Sequence, residues 1–167
     1  MNSIFTRRSV RSFLDKEVEK EKIDKIIRAA MQAPSAMNKR PWEFLVIRGK
    51  ENIKKLANVS RFSKPIENAN VVIVTLFNRR ATFVRSYWQQ DLGAATQNIL
   101  LEGTELGLGT LWVGVAPDEE KMKYISELFN LDKNLNPYSI IGIGYPEKED
   151  ANKFIDRYEE NKVRYID

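Results

Sequence analysis

The run VVIVTLF at residues 71–77 constrains this chain more than any other stretch. It is apolar and β-branched almost throughout, without the alternation of a strand that has one wet face. It therefore predicts a central strand buried on both sides. The run is far too short for a bilayer, which requires about 20 apolar residues. The opening MNSIFTRRS has no apolar stretch of the signal-peptide kind, so a cytoplasmic protein with no membrane partner is expected.

A strand of this kind needs partners, and the 167-residue chain supplies them. WEFLVIR (42–48), GTLWVGV (109–115) and YSIIGIGYP (138–146) read as further strands. Residues 18–33 place Val18, Ile23, Ile26, Ile27, Ala30 and Met31 at helical spacing, and Pro34 argues for the end of that helix. ENIKKLANV (51–59) and DEEKMKYISELFN (118–130) read as shorter helices. The segment from Trp88 to Leu106 predicts a long, weakly charged helix, with Leu92, Ala95 and Ile99 on one face and Ala94, Asn98 and Leu101 on another. Burial on two sides follows, and a subunit interface explains it better than core packing alone. The tail 151–167 mixes Phe154, Ile155, Tyr158, Val163, Tyr165 and Ile166 with charges, and is expected to pack on its own body or on a partner. No repeat or linker interrupts the chain, so residues 1–167 are read as one α+β domain.

Two absences narrow the chemistry. Without cysteine there is no disulfide, thiolate nucleophile, Cys-ligated zinc or Fe–S cluster. Without histidine the usual general base and the commonest metal ligand are missing, and a Ser-His-Asp triad is excluded. Any difficult chemistry therefore falls to a cofactor or to carboxylate, lysine or tyrosine groups. The excess of 27 Lys+Arg over 23 Asp+Glu is small and scattered, which disfavours nucleic acid as a partner. GTELGLGT (103–110) ends a helix instead of opening one, so it is neither a dinucleotide fingerprint nor a P-loop. Asp91, Glu102 and Glu105 read as structural partners within the long helix, not as catalysts.

Two stretches are left. TRRSVRSF (6–13) concentrates arginine and serine. If extended, it sets Arg7, Ser9 and Arg11 on one side and Arg8 on the other. Guanidinium forks and a hydroxyl suit a phosphate, while a solvated basic arm is the alternative. PSAMNKRPW (34–42) is either a plain connection or a binding loop. In the second case Ser35 and Asn38 offer hydrogen bonds, Ala36 allows close backbone approach, and Met37 gives an adaptable apolar contact for a flat heterocycle.

RRSVRSF, PSAMNKRPW, GLGTLWVG and GIGYP, in this order and spacing, resemble the nitroreductase-like flavoproteins over nearly the whole chain. The resemblance implies a central, mainly antiparallel sheet flanked by helices, an intertwined homodimer, and two FMN molecules at the dimer interface. It implies that Arg7 and Ser9, with Arg8 beside them, bind the FMN phosphate, and that Arg11 points to the pyrimidine edge. Pro34, Ser35, Ala36, Met37 and Asn38 would come from the other subunit to border the ring and ribityl chain. Trp112, Val113 and Gly114 would pass the N5/O4 side, Lys162 and Arg164 would complete the phosphate site, and Lys64 corresponds to a lysine near O2. Arg40 stands where the family usually has glutamine, and Arg164 where it often has histidine.

The implied activity is ping-pong reduction of nitroaromatics, quinones or similar small acceptors by NADH or NADPH, with the flavin carrying the chemistry and no catalytic side chain. A non-catalytic FMN carrier or redox partner is the alternative. Enone reduction, dehalogenation and flavin rearrangement are known among related flavoproteins.

Overall fold

The computed structural model describes residues 3–166. All seven residues of the 71–77 run are buried, in strand β2 (Val71–Asn78). This strand lies between β1 (Trp42–Ile47) and β4 (Leu135–Gly144), and β3 (Gly109–Gly114) pairs on the far side of β4. All three pairings are antiparallel.

The two faces of β2 account for the layers. Val71 and Ile73 join the core formed with Ile23 and Ile26 of α2 (Lys20–Met31) and Ile99 and Leu100 of α4 (Trp88–Glu105). Val72, Val74 and Leu76 point the other way, to Ile53 and Leu56 of α3 (Lys50–Leu56) and Ile125 of α5 (Glu119–Leu128). Each such side chain contributes about 1.5–3 kcal/mol of burial. The one polar residue of the run, Thr75, meets Ser139 Oγ at 2.8 Å, and Ser139 meets Thr96 Oγ1 of α4 at 3.2 Å, so these buried hydroxyls satisfy one another. The observed fold is α+β, an antiparallel sheet with helices on both sides.

Helix α4 buries Leu92, Ala95, Thr96, Ile99, Leu100 and Gly103 against the sheet. Its second face, Ala94, Asn98 and Leu101, is only half-buried. Strand β4 begins at Leu135, three residues before the sequence pattern suggests. The early part contains Pro137, which has no N–H to give a ladder. It is accommodated because the register slips there, between Thr75 opposite Ser139 and Leu76 opposite Pro137.

The chain ends in an extended tail. Asn152 anchors its start by accepting from Arg8 N–H at 3.2 Å and donating to the Leu108 carbonyl at 3.0 Å. Phe154 approaches Phe5 with ring centres 6.4 Å apart, and from there to Ile166 every residue is exposed. Among the described residues no helix is long and apolar enough to cross a membrane.

Candidate functional site

The short α1 (Ser3–Thr6) closes with Arg7 N–H donating to the Ser3 carbonyl, and the chain then runs extended beside β3. Ser9 bridges Thr110, Val10 N–H donates to the Thr110 carbonyl at 2.9 Å, and the side chains alternate. Ser9 and Arg11 are exposed, Val10 is buried, and Arg8 turns inward with it. The alternation expected of an extended segment runs from Ser9 to Arg11, whereas Arg7, expected on the side of Ser9 and Arg11, is half-buried and lines the same cavity as Arg8.

Arg8 is the unusual member. Its Nη1 donates to the Arg7 carbonyl at 2.5 Å, but Nε and Nη2 are buried without a partner. Arg7 lies beside it, its pKa lowered first by burial and then by the charges of Arg8 and Arg157. These three arginines line a cavity of about 340 Å³ with Phe5, Phe154, Tyr158 and one carboxylate, Asp156, whose Oδ1 accepts from Tyr158 N–H at 2.9 Å. A buried guanidinium with idle N–H groups is costly unless an anion meets it. The donor set therefore fits a phosphate.

Strand β3 presents a half-open edge. Because the Thr110 carbonyl faces Val10, the period of two also turns the backbone groups of Trp112 and Gly114 outward, away from β4. The Val113 amide faces Ile140 inside the sheet and its side chain is buried, so only Trp112 and Gly114 offer backbone donors to the open side. A Cβ at Gly114 would meet nothing within 4 Å. Trp112 is half-buried beside Tyr138, ring centres 6.1 Å apart.

The loop after α2 is held in a rare backbone shape. Met37, Asn38 and Arg40 have φ of 51°, 53° and 49°, which is costly for side chains other than glycine. Ala36 N–H donates to Asp91 Oδ1 at 2.9 Å and Arg40 N–H to Ser35 Oγ at 2.8 Å, so the shape is maintained from both ends. Ser35 accepts this bond inside the loop, whereas Met37 is 69% exposed. Pro34, Ser35 and Ala36 wall a cavity of about 390 Å³ with Tyr87, Gln90 and Asp91. Sequence reading missed Tyr87, Gln90 and Arg157. The one available signal for the first two was an aromatic residue and a polar pair at the start of a helix.

The candidate residues do not all converge within one chain. The loop meets α4 at Asp91, while Ser3 before the arm shares a cavity with Leu101, Glu102 and Glu105 at the other end. From Asp91 to Glu102 the helix rises about 16 Å, at about 1.5 Å per residue. Lys64, in the 3₁₀ turn Lys64–Asn68, pairs with Glu67 at 2.5 Å, and Ile66 of the same turn packs in the core on the α3 side of the sheet, away from α4. Lys162 pairs with Glu159 at 2.6 Å, and Arg164 lies exposed on the tail.

The sequence model of the Nitroreductase family matches residues 4–71 and 61–145. A protein of Archaeoglobus fulgidus with the provisional name NADH dehydrogenase/NAD(P)H nitroreductase is 39% identical over 165 residues, 98% of this chain and 95% of its own. A crystal structure from Clostridium acetobutylicum, provisionally called an NADH oxidase, has a TM-score of 0.93 at 45% identity and covers 97% of each chain. An FMN-dependent nitroreductase from Clostridium difficile R20291 has a TM-score of 0.89 at 34% identity, covering 99% of this chain and 98% of that one. The antiparallel sheet, the arginine arm along its edge and the likeness in sequence over nearly the full length lead to one assignment: this chain belongs to the nitroreductase family.

Proposed function

We propose that the protein is an FMN-dependent NAD(P)H oxidoreductase, a homodimer that reduces small acceptors such as nitroaromatics or quinones. The observation that carries this reading is the Arg8 guanidinium beside Arg7 and Arg157, with its Nε and Nη2 buried and lacking a partner. When bound, FMN supplies hydride acceptance and donation at N5.

The chain's own residues bind and orient. Arg7, Arg8 and Ser9 hold the phosphate, joined by Lys162 and Arg164 of a tail that lies exposed in the single chain. Arg11, whose Nη1 is 3.3 Å from the Ser9 carbonyl, brings fixed positive charge to the pyrimidine edge, where reduction accumulates negative charge. The outward amides of Trp112 and Gly114 are donors for the ring, and no side-chain acid is required. Lys64 stands apart from these residues, in the turn whose Ile66 packs on the α3 side of the sheet.

The separation along α4 supports the homodimer. A two-fold axis across this helix sets the Asp91 end of one protomer against the Glu102 end of its partner. The 34–38 loop of one chain then meets the arm of the other, and the half-buried face of Ala94, Asn98 and Leu101 is covered. The exposed aromatic tail has a partner surface to cross in the same arrangement.

The test is the visible spectrum and solution size of the untagged protein. A yellow dimer, bleached anaerobically by NADH or NADPH and recoloured by a nitroaromatic or quinone, is the expected result. A colourless monomer that takes up no FMN overturns the proposal, and a yellow protein that is never bleached reduces it to a flavin carrier.

A further inference from the structure

Five exposed or half-buried cations are carried by two segments that meet at one end of the sheet, Lys39 and Arg40 just before β1 and Arg79, Arg80 and Arg85 between β2 and α4. Asn78 N–H donates to the Pro41 carbonyl at 2.8 Å, continuing the β1–β2 register so that Arg40 and Arg79 leave the sheet at the same end. Lys39 Nζ sits 4.9 Å from the centre of the Phe83 ring, which is 71% exposed. Only Arg80 has a carboxylate, Asp132 at 3.7 Å; Lys39, Arg40, Arg79 and Arg85 form no ion pair among the described residues. The nearby acids are engaged elsewhere, Glu43 with Asn78 Nδ2 at 2.5 Å and Asp91 with the Ala36 amide.

Unpaired like charges around an exposed aromatic ring repel one another unless an anion joins them. The ring face and its cation suit a heterocyclic base. This rim leads through Arg85 and Tyr87 into α4, whose first residues wall the cavity behind the 34–36 loop. A single carboxylate or nitro group does not match four free cations, whereas a pyrophosphate with a further phosphate and an adenine does.

We propose that this rim holds the adenosine phosphates of the nicotinamide donor, and that the 2′-phosphate makes NADPH the preferred donor over NADH. The proposal rests on the flavin reading, which requires such a donor, and adds which of the two it is.

NAD⁺ and NADP⁺ differ only in that phosphate, so calorimetric titration of the flavin-loaded protein with each reads the rim directly. NADP⁺ is expected to bind about tenfold tighter at low salt, as one charge-assisted contact warrants, and the gap narrows as salt screens it. Arg79→Ala with Arg85→Ala closes the gap. Bleaching by N-benzyl-1,4-dihydronicotinamide, which carries no phosphate, keeps its rate in that variant. Both side chains are exposed, and Lys39→Gln serves as a second variant should the pair disturb folding. Equal affinity for NAD⁺ and NADP⁺, or a gap the variants leave unchanged, overturns the proposal. A colourless protein whose NADP⁺ preference still depends on these arginines overturns the flavin reading and keeps the rim.

Discussion

Val10 lies so close over Gly109 that a Cβ at the glycine would fall 2.6 Å from Val10 Cγ1 and 2.8 Å from its Cβ. The arginine arm is seated on the sheet through this contact. Val10 is β-branched and cannot swing aside. Gly109→Ala is expected to cost about 1–3 kcal/mol of stability by overpacking and to weaken FMN binding by displacing Arg7, Arg8 and Ser9. Thermal melts and fluorescence titration of FMN measure both. Unchanged flavin affinity would show that the arm's seating is irrelevant to the site.

Arg8 carries an opposite expectation for stability and function. Its Nε and Nη2 are buried without partners. Arg8→Met removes that desolvation cost while filling similar space, so the apo-protein should melt at a higher temperature and bind FMN less tightly. A variant that both melts lower and binds FMN normally would contradict the role given to this guanidinium.

Asp91 holds the 34–40 loop through the Ala36 amide at 2.9 Å, and it is 5% exposed. Asp91→Ala leaves that N–H without its acceptor, at a cost of about 1–3 kcal/mol, and frees a loop whose Met37, Asn38 and Arg40 rely on restraint to keep positive φ. Faster amide exchange at residues 36–40, with exchange in β2 unchanged, is the expected signature.

The pH profile should be flat where most proteins show a step. With no histidine and no cysteine, no side chain of ordinary pKa titrates between about pH 5 and 8. Six carboxyls are held below their ordinary values, Glu51, Glu67 and Asp150 each chiefly by a lysine side chain, Glu19 by a backbone N–H and the Tyr145 hydroxyl, Asp118 by the Lys121 side chain and then its N–H, and Asp132 by the N–H and side chain of Asn134. A carboxyl depressed in the folded state stabilises it above the unfolded pKa and loses that contribution as pH falls through the folded value. Stability should thus decline only below the ordinary values of 4.5 for the glutamates and 3.8 for the aspartates. Chemical denaturation of the flavin-free protein at half-unit steps measures this, and an inflection near pH 6.5 would contradict it.

The central strand, the long α4 and the alternation from Ser9 to Arg11 were legible in the residues themselves. Each is a matter of local period, set by which neighbours along the chain share a face. The expected start of β4 was late because Pro137 reads locally as a breaker, and only the slipped register opposite Thr75 and Leu76 gives it a place. Only the packing of distant segments leaves Arg8 Nε and Nη2 buried without a partner, turns the Val113 amide into the sheet, and lets Asp91 anchor a loop 55 positions away in the chain. It also separates the loop from the arm along α4. These are relations between groups distant in sequence, and their energies depend on burial and direction, which a linear pattern of residues does not contain.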